Sequence, residues 1–155
     1  ENNQMAIGTE LKRVSKEVEI YKRAAGYGIP GVQVDGFNVF AVYEAVKKAV
    51  DRARKGNGPS LIEAKFLRLL GHFVADDQWY RDLESVEPYW NLDPVNRMKD
   101  YLLENNIATS KELESIEKDI IKEIQEAINY AANECTEPPL ETLYDNIYAD
   151  GEIIK

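Results

Sequence analysis

Val32-Gln33-Val34, the run from Asn38 to about Lys55, and Ser60-Leu61-Ile62-Glu63-Ala64-Lys65-Phe66-Leu67-Arg68 decide the fold. Val32 to Val34 alternates apolar and polar residues, as a half-buried strand does. Asn38 offers the side-chain oxygen that caps the free N–H groups of a helix start. Val39, Val42, Val46, Ala49, Val50 and Ala53 recur at helical spacing and give the expected helix one buried stripe. Gly56-Asn57-Gly58-Pro59 closes that helix, and Ser60 to Arg68 returns as a strand. Strand, helix, strand is a βαβ unit, which favours parallel pairing and a right-handed crossover. The expected fold class is therefore α/β. Ligands in such sheets bind beyond the carboxyl ends of the strands, so chemistry is expected just after Arg68.

On the N-terminal side, Met5-Ala6-Ile7-Gly8 reads as a short strand end. Ser15 to Ala25 reads as a helix stopped by Gly26 and Gly28, and Ile29-Pro30-Gly31 as a turn. On the other side, Leu69 to Arg81 is too irregular for a helix and too polar for a central strand, so it is a loop. Near residue 90 the style changes and the chain turns helical. Asp93-Pro94 caps and opens a helix to about Glu104. Thr109 with Glu112 forms a capping box. The helix after it carries Leu113, Ile116, Ile120, Ile124, Ala127, Ile128 and Ala131 on one side, a stripe that needs the sheet domain or another subunit to cover it. Pro138-Pro139 ends this helix, and Leu140, Leu143 and Ile147 mark a short final one. Two regions are expected: residues 1–90, an α/β domain with a loop at 71–81 placed where chemistry is expected, and residues 91–155, a helical tail packing on it or on a partner.

The 155 residues, 44% hydrophobic and 30% charged, suit a chain that buries a core without disulfides. Nineteen basic against 28 acidic residues leave a charge of −9, which argues against a nucleic-acid binder working by phosphate attraction. The excess is local: Ser110 to Lys155 holds 12 acidic and 4 basic residues, a solvated outer face. No apolar run approaches the ~18 residues of a membrane helix, and the polar start ENNQMAIGTELKR has no signal-peptide core. A lone cysteine, Cys135, fits a reducing, cytoplasmic setting. The first residue is Glu rather than Met, and the chain reads as part of something longer.

His72 is the single histidine, which excludes a His-based zinc cluster. It is either structural or, in a Gly-His loop directly after a strand, functional. Arg68 can grip a phosphate in bidentate fashion with His72 adding a hydrogen bond, or it can pair with a carboxylate such as Asp76. Asp76, Asp77, Tyr80 and Arg81 form either a solvated loop or a lid over the βαβ crevice. Cys135, between Glu134 and Glu137, is disfavoured as a thiolate nucleophile. Trp79, Trp90 and Tyr89 serve packing or a ligand. No G-x-S-x-G, Walker A or dinucleotide G-x-G-x-x-G motif is present.

Four segments, in this order and spacing, carry a resemblance. They are Glu1-Asn2-Asn3-Gln4-Met5-Ala6-Ile7-Gly8-Thr9, then Arg23-Ala24-Ala25-Gly26-Tyr27-Gly28-Ile29-Pro30-Gly31-Val32-Gln33-Val34-Asp35-Gly36, then Gly71-His72 through Tyr80-Arg81, and Glu137-Pro138-Pro139-Leu140-Glu141-Thr142-Leu143-Tyr144. Together they resemble the C-terminal half of the α subunit of thiamine-diphosphate-dependent E1 dehydrogenases, the family of the pyruvate, branched-chain 2-oxoacid and acetoin enzymes. The resemblance covers essentially the whole chain. It implies a partial thiamine-diphosphate-binding fold and the cofactors thiamine diphosphate and Mg²⁺. The family's cofactor motif runs from Gly-Asp-Gly to an Asn-Asn pair, and the chain begins at that Asn-Asn end. By resemblance, Asn3 is a Mg²⁺ ligand through its side chain and Met5 through its backbone carbonyl, in keeping with the oxygen shell that Mg²⁺ takes. Arg68 and His72 lie at the diphosphate, His72 with a catalytic role, and the loop holding Asp76, Tyr80 and Arg81 orders over the cofactor.

The implied reaction is decarboxylation of a 2-oxo acid, or cleavage of acetoin, with the acyl unit passed to a lipoyl carrier. The implied partners are an E1 β subunit, a second α subunit in an α2β2 tetramer, and a lipoyl-bearing E2 acyltransferase. Two departures stand out: the Gly-Asp-Gly aspartate is missing, since Val34-Asp35-Gly36 belongs to another strand, and Phe73 follows His72 where mitochondrial-type pyruvate enzymes carry serine. A Gly-His-Phe run resembles acetoin-type subunits more closely. The rival readings are a non-catalytic α/β module docking through its amphipathic C-terminal helices, and a transketolase-like relative with another donor.

Overall fold

A computed structural model describes residues 1–145 and 147. In chain order it holds β1 (Met5–Ala6), β2 (Thr9–Glu10), α1 (Leu11–Val14), a 3₁₀ stretch (Ile20–Tyr27), β3 (Gly31–Asp35), α2 (Val39–Arg54) and β4 (Leu61–Lys65). A second 3₁₀ stretch (Glu87–Leu92), α3 (Pro94–Glu104), α4 (Ser110–Asn133) and a third 3₁₀ stretch (Leu140–Tyr144) follow. The fold is the expected mixture of helices around a short parallel sheet. β3 and β4 pair in parallel from Gly31 opposite Leu61 to Asp35 opposite Lys65. The N-terminus adds one rung on the far edge of β4. Asn2 N–H donates to the Ala64 carbonyl at 2.8 Å, and Phe66 N–H donates to the Asn2 carbonyl at 3.1 Å. The chain start is thereby fixed near the carboxyl end of β4.

α2 begins as its sequence dictates: the Asn38 side-chain oxygen accepts from the N–H groups of Phe40 and Ala41. The buried stripe expected along it is only half covered, with Val39 and Val46 each 43% exposed, because two strands and one rung shield a single part of the helix. Among the described residues the buried apolar side chains are Ala24, Phe37 and Val86. Phe37 meets Phe66 edge-on, centroids 6.4 Å apart, and tilts against Tyr89 at 6.1 Å. Gly31 is required by space: a Cβ there would sit 2.2 Å from the Tyr21 carbonyl oxygen.

Four expectations are corrected. Ser15 to Ala25 is not one helix: α1 is a single turn, and the chain resumes as a 3₁₀ stretch only at Ile20. An α-helix would send Tyr21 N–H to the Glu17 carbonyl, but that N–H donates to the buried Glu63 carboxylate at 2.8 Å, a contact 42 residues away. Ser15 Oγ meanwhile donates to the Glu17 carbonyl, the local pairing that competes with helix. Gly28 does take the expected left-handed cap, at φ 66°. Second, the strand expected to reach Arg68 ends at Lys65, so Arg68 lies three residues beyond it. Third, α4 stops at Asn133, before Pro138-Pro139; Asn133 bonds its side-chain amide to the Asn129 carbonyl, and the residue before a proline resists helix. Fourth, the short final helix is a 3₁₀ stretch ending at Tyr144, and Ile147 lies in a bend beyond it. The rest of the tail, 146 and 148–155, lies outside the described residues.

By compactness the chain divides into Glu1–Ile107 and Ala108–Lys155, while the sequence reading divides it by role at residue 90. Within the second unit, α4 opens on the expected capping box: Thr109 Oγ1 accepts from Glu112 N–H at 3.3 Å, and the Glu112 carboxylate accepts from Thr109 N–H at 2.8 Å. Its Ile116, Ile120, Ile124 and Ile128 are all half exposed or more. Among the described residues no helix is long and apolar enough to cross a membrane.

Candidate functional site

Three local structures meet at the carboxyl end of β4. The first is the N-terminal turn. Asn2 and Asn3 each fold back on the chain, Asn2 Oδ1 accepting from Gln4 N–H and Asn3 Oδ1 from Met5 N–H, both at 2.9 Å. Gln4 between them is left-handed at φ 65°, which an L side chain adopts only when its surroundings hold it there. Asn3 and Met5 line a cleft of about 350 Å³ together with Asn2, Leu11, Ile20 and Glu63. Among the described residues there is no cluster of three or more His, Cys, Asp or Glu that could hold a metal. The oxygens offered here are instead neutral amide and backbone ones.

Glu63 anchors this turn from β4. It is 2% exposed, and its two oxygens accept from Asn2 Nδ2 at 2.5 Å, Tyr21 N–H at 2.8 Å and Gln33 Nε2 at 3.2 Å. Burial pushes its carboxyl up, but the hydrogen bonds from Asn2, Tyr21, Gln33 and the Ile20 backbone outweigh that and hold it below the usual carboxylate range. No sequence pattern pointed to Glu63; the one available signal is a carboxylate at the midpoint of a five-residue strand.

The loop after β4 is organised by Asp76 and Arg81. Asp76 accepts from Tyr80 Oη at 2.6 Å, His72 N–H at 2.7 Å and Gln78 N–H at 3.0 Å. The Tyr80 hydroxyl first, and the His72 N–H next, hold the Asp76 carboxyl below its ordinary range. The same hydrogen bond, with burial and the Asp76 charge, raises the Tyr80 phenol, against which the Arg81 and Arg68 cations act. Arg81 is an internal staple: its guanidinium donates to the carbonyls of Arg68 (2.5 Å), Leu69 (3.1 Å) and Leu70 (2.8 Å) and to Gln78 Oε1. Arg81 fixes the backbone that carries Arg68.

The expected alternative pairing of Arg68 with Asp76 does not form. Asp76 is occupied by Tyr80 and two backbone N–H groups. Among the described residues neither the Arg68 guanidinium nor the His72 imidazole has a hydrogen bond or ion pair. His72 is exposed and meets Phe73 edge-on at 6.2 Å, and Arg68 is half buried. The loop reaches the β1–β2 hairpin that follows the N-terminal turn: a Cβ on Gly8 would lie 3.2 Å from the Tyr80 ring, so the ring rests on the Gly8 backbone. The structure thus brings Asn3 and Met5 into one cleft, gathers His72, Asp76, Tyr80 and Arg81 into one loop, and rests Tyr80 of that loop on Gly8 of the β1–β2 hairpin. Arg68 and His72 do not line the cleft of Asn3 and Met5.

The dehydrogenase E1 component family matches residues 1–140. The chain is 41% identical over 150 residues to the chloroplastic pyruvate dehydrogenase E1 component subunit alpha-3 of Oryza sativa subsp. japonica, covering 97% of this chain and 35% of that protein. It is 39% identical over 151 residues to the pyruvate dehydrogenase E1 component subunit alpha of Porphyra purpurea, covering 97% and 44%. Against the mitochondrial subunit of Sminthopsis macroura the identity is 38% over 151 residues, covering 96% and 41%. The chain spans about two fifths of the length of these relatives. With nine tenths of its length matched and an α/β fold built around the same segments, the chain belongs to the dehydrogenase E1 component family.

Proposed function

We propose that this chain is the part of an E1 α subunit that closes over one end of thiamine diphosphate, in an enzyme that decarboxylates a 2-oxo acid and passes the acyl unit to a lipoyl carrier. The observation that carries this reading is the Gly8–Tyr80 contact, which brings the loop of His72 and Asp76 onto the β1–β2 hairpin that begins at Met5. The relatives' names support pyruvate as the donor, and the Gly-His-Phe run at residues 71–73 keeps acetoin as the alternative.

The residues present suit the group. A diphosphate with Mg²⁺ asks for hard neutral oxygens at the metal and cationic or N–H donors at the phosphates. The Asn3 amide and the backbone of its turn are oxygens of that kind, with the remaining ligands contributed from outside this chain. Arg68 and His72, both without a partner among the described residues, supply the donors. When bound, thiamine diphosphate supplies the electron sink that makes decarboxylation possible. This chain's residues bind and orient it. Arg68 neutralises the diphosphate, and His72 donates a hydrogen bond to it. Arg81 keeps the Arg68 backbone in place, and Asp76 with Tyr80 holds the loop over the site and limits the entry of water. Completing the site falls to an E1 β subunit, in an α2β2 tetramer served by a lipoyl-bearing E2. The isolated chain is expected to bind the cofactor weakly and to show no turnover.

The test is a pair of substitutions, Arg68→Ala and His72→Ala, in the complete α subunit assembled with its β subunit. Loss of 2-oxo acid decarboxylation with the assembly intact supports the enzyme reading. Full activity in both variants supports the rival, an α/β module that only docks its partner.

A further inference from the structure

We infer that Glu63 is a positioning residue for the metal-binding turn, acting through the side chain of Asn2 on the oxygens of Asn3 and Met5; this rests on the cofactor reading above. The chain of contacts is continuous. Glu63 is carried by the central strand and is almost fully buried, so its carboxylate is fixed in place. Its Oε1 accepts from Asn2 Nδ2 at 2.5 Å, and a carboxylate can only accept, so the amide nitrogen of Asn2 must face it. That choice turns Asn2 Oδ1 the other way, where it accepts from Gln4 N–H at 2.9 Å. Gln4 is the residue held left-handed at φ 65°, and its neighbours on either side are Asn3 and Met5.

The second oxygen of Glu63 serves a different purpose. Oε2 accepts from Tyr21 N–H and from Gln33 Nε2, which tie in the 3₁₀ stretch and β3. One carboxylate therefore has a structural half and a half that reads out into the turn. The two can be separated. Asn2→Ala removes only the link to the turn and leaves Oε2 with both partners. Glu63→Gln leaves a single acceptor oxygen: facing Tyr21 and Gln33, it turns its NH₂ group on Asn2 Nδ2, and facing Asn2, it turns that group on the Tyr21 and Gln33 donors. To bond that NH₂ group, Asn2 must flip its amide and lose Gln4.

The experiment uses Mn²⁺ as the probe, titrated with thiamine diphosphate into the complete α–β assembly and followed by electron paramagnetic resonance, with thermal melting as the control. Outer residues that orient metal ligands usually contribute about 10–100-fold in metal affinity. Asn2→Ala and Glu63→Gln are expected to weaken Mn²⁺ binding by about that factor and to broaden the bound-metal spectrum, at temperatures where the assembly is fully folded. Asn3→Ala, run in parallel, tests the underlying reading. If Asn3→Ala weakens Mn²⁺ and Asn2→Ala does not, the positioning role is overturned while the cofactor reading survives. If Asn3→Ala leaves Mn²⁺ affinity unchanged, the metal assignment falls and the inference falls with it.

Discussion

The hydroxyl of Tyr80 donates to the carboxylate of Asp76 at 2.6 Å while its ring lies on the backbone of Gly8, so one side chain closes the 71–81 loop and seats it on the β1–β2 hairpin. Tyr80→Phe keeps the ring and removes the hydrogen bond. It is expected to leave the melting temperature nearly unchanged and to raise the rate of tryptic cleavage after Arg81 several-fold; equal cleavage rates would show that the bond does not order the loop.

The same pair sets a pH window for loop order. Asp76 titrates below its ordinary 3.8, so its contribution is present above that value and is lost as pH falls through the lowered one. Tyr80 titrates above its ordinary 10.0, so its contribution is complete below that value and is lost as pH rises through the raised one. Amide hydrogen exchange, corrected for intrinsic rates, should report constant protection of His72 and Gln78 N–H between about pH 5 and 9, with a fall on either side. A change centred near neutrality would point to another group.

Arg81→Lys tests the staple. An ammonium cannot reach three successive carbonyls as the guanidinium fork does, so the backbone of Arg68, Leu69 and Leu70 should loosen. Faster amide exchange across residues 68–72, with other regions unaffected, is the expected result.

Glu63 links stability to acid as well as to the turn. Its carboxyl is held below the ordinary 4.5, so the stability it contributes is present above that value and is lost as pH falls through the lowered one. Glu63→Ala strands the Tyr21 N–H and the Asn2 and Gln33 amides and should cost on the order of 3 kcal/mol, read by urea unfolding. A loss under 0.5 kcal/mol, the scale of a neutral surface change, would contradict the buried network.

Gly31→Ala should be as damaging for a different reason, since the new Cβ would meet the Tyr21 carbonyl and the Ala24 methyl, neither of which can swing away. Overpacking of this kind costs about 1–3 kcal/mol or more. Gly26→Ala, with open space around it, is the matched control.

How much of this was legible in the sequence differs by element. The Asn38 cap, the Asp93-Pro94 start and the Thr109–Glu112 box depend on neighbours within three residues, and all three form where expected. The parallel pairing of β3 and β4 followed from the helix between them. What escaped was non-local. The Glu63 carboxylate diverts Tyr21 N–H from a distance of 42 residues and dissolves the helix that local signals favoured. Likewise, the sequence leaves Arg81 in either a solvated loop or a lid, and only its reach back to the Arg68 carbonyl makes it a staple. Asn3 and Met5 were named by resemblance and Arg68, His72 and the Asp76–Arg81 loop already by their place after a strand, whereas their bonding, with Asp76 taken by Tyr80 and Arg68 without a partner among the described residues, depends on the folded chain.

The most direct test of the central claim is titration calorimetry of thiamine diphosphate with Mg²⁺ into the complete α–β assembly, comparing the unaltered protein with Arg68→Ala. A lost charge-assisted contact to the diphosphate is worth about 1.5–3 kcal/mol, so Kd should rise about 10–100-fold with the assembly unchanged. An unaltered Kd for Arg68→Ala, and likewise for His72→Ala, would mean that the end of β4 does not hold the cofactor.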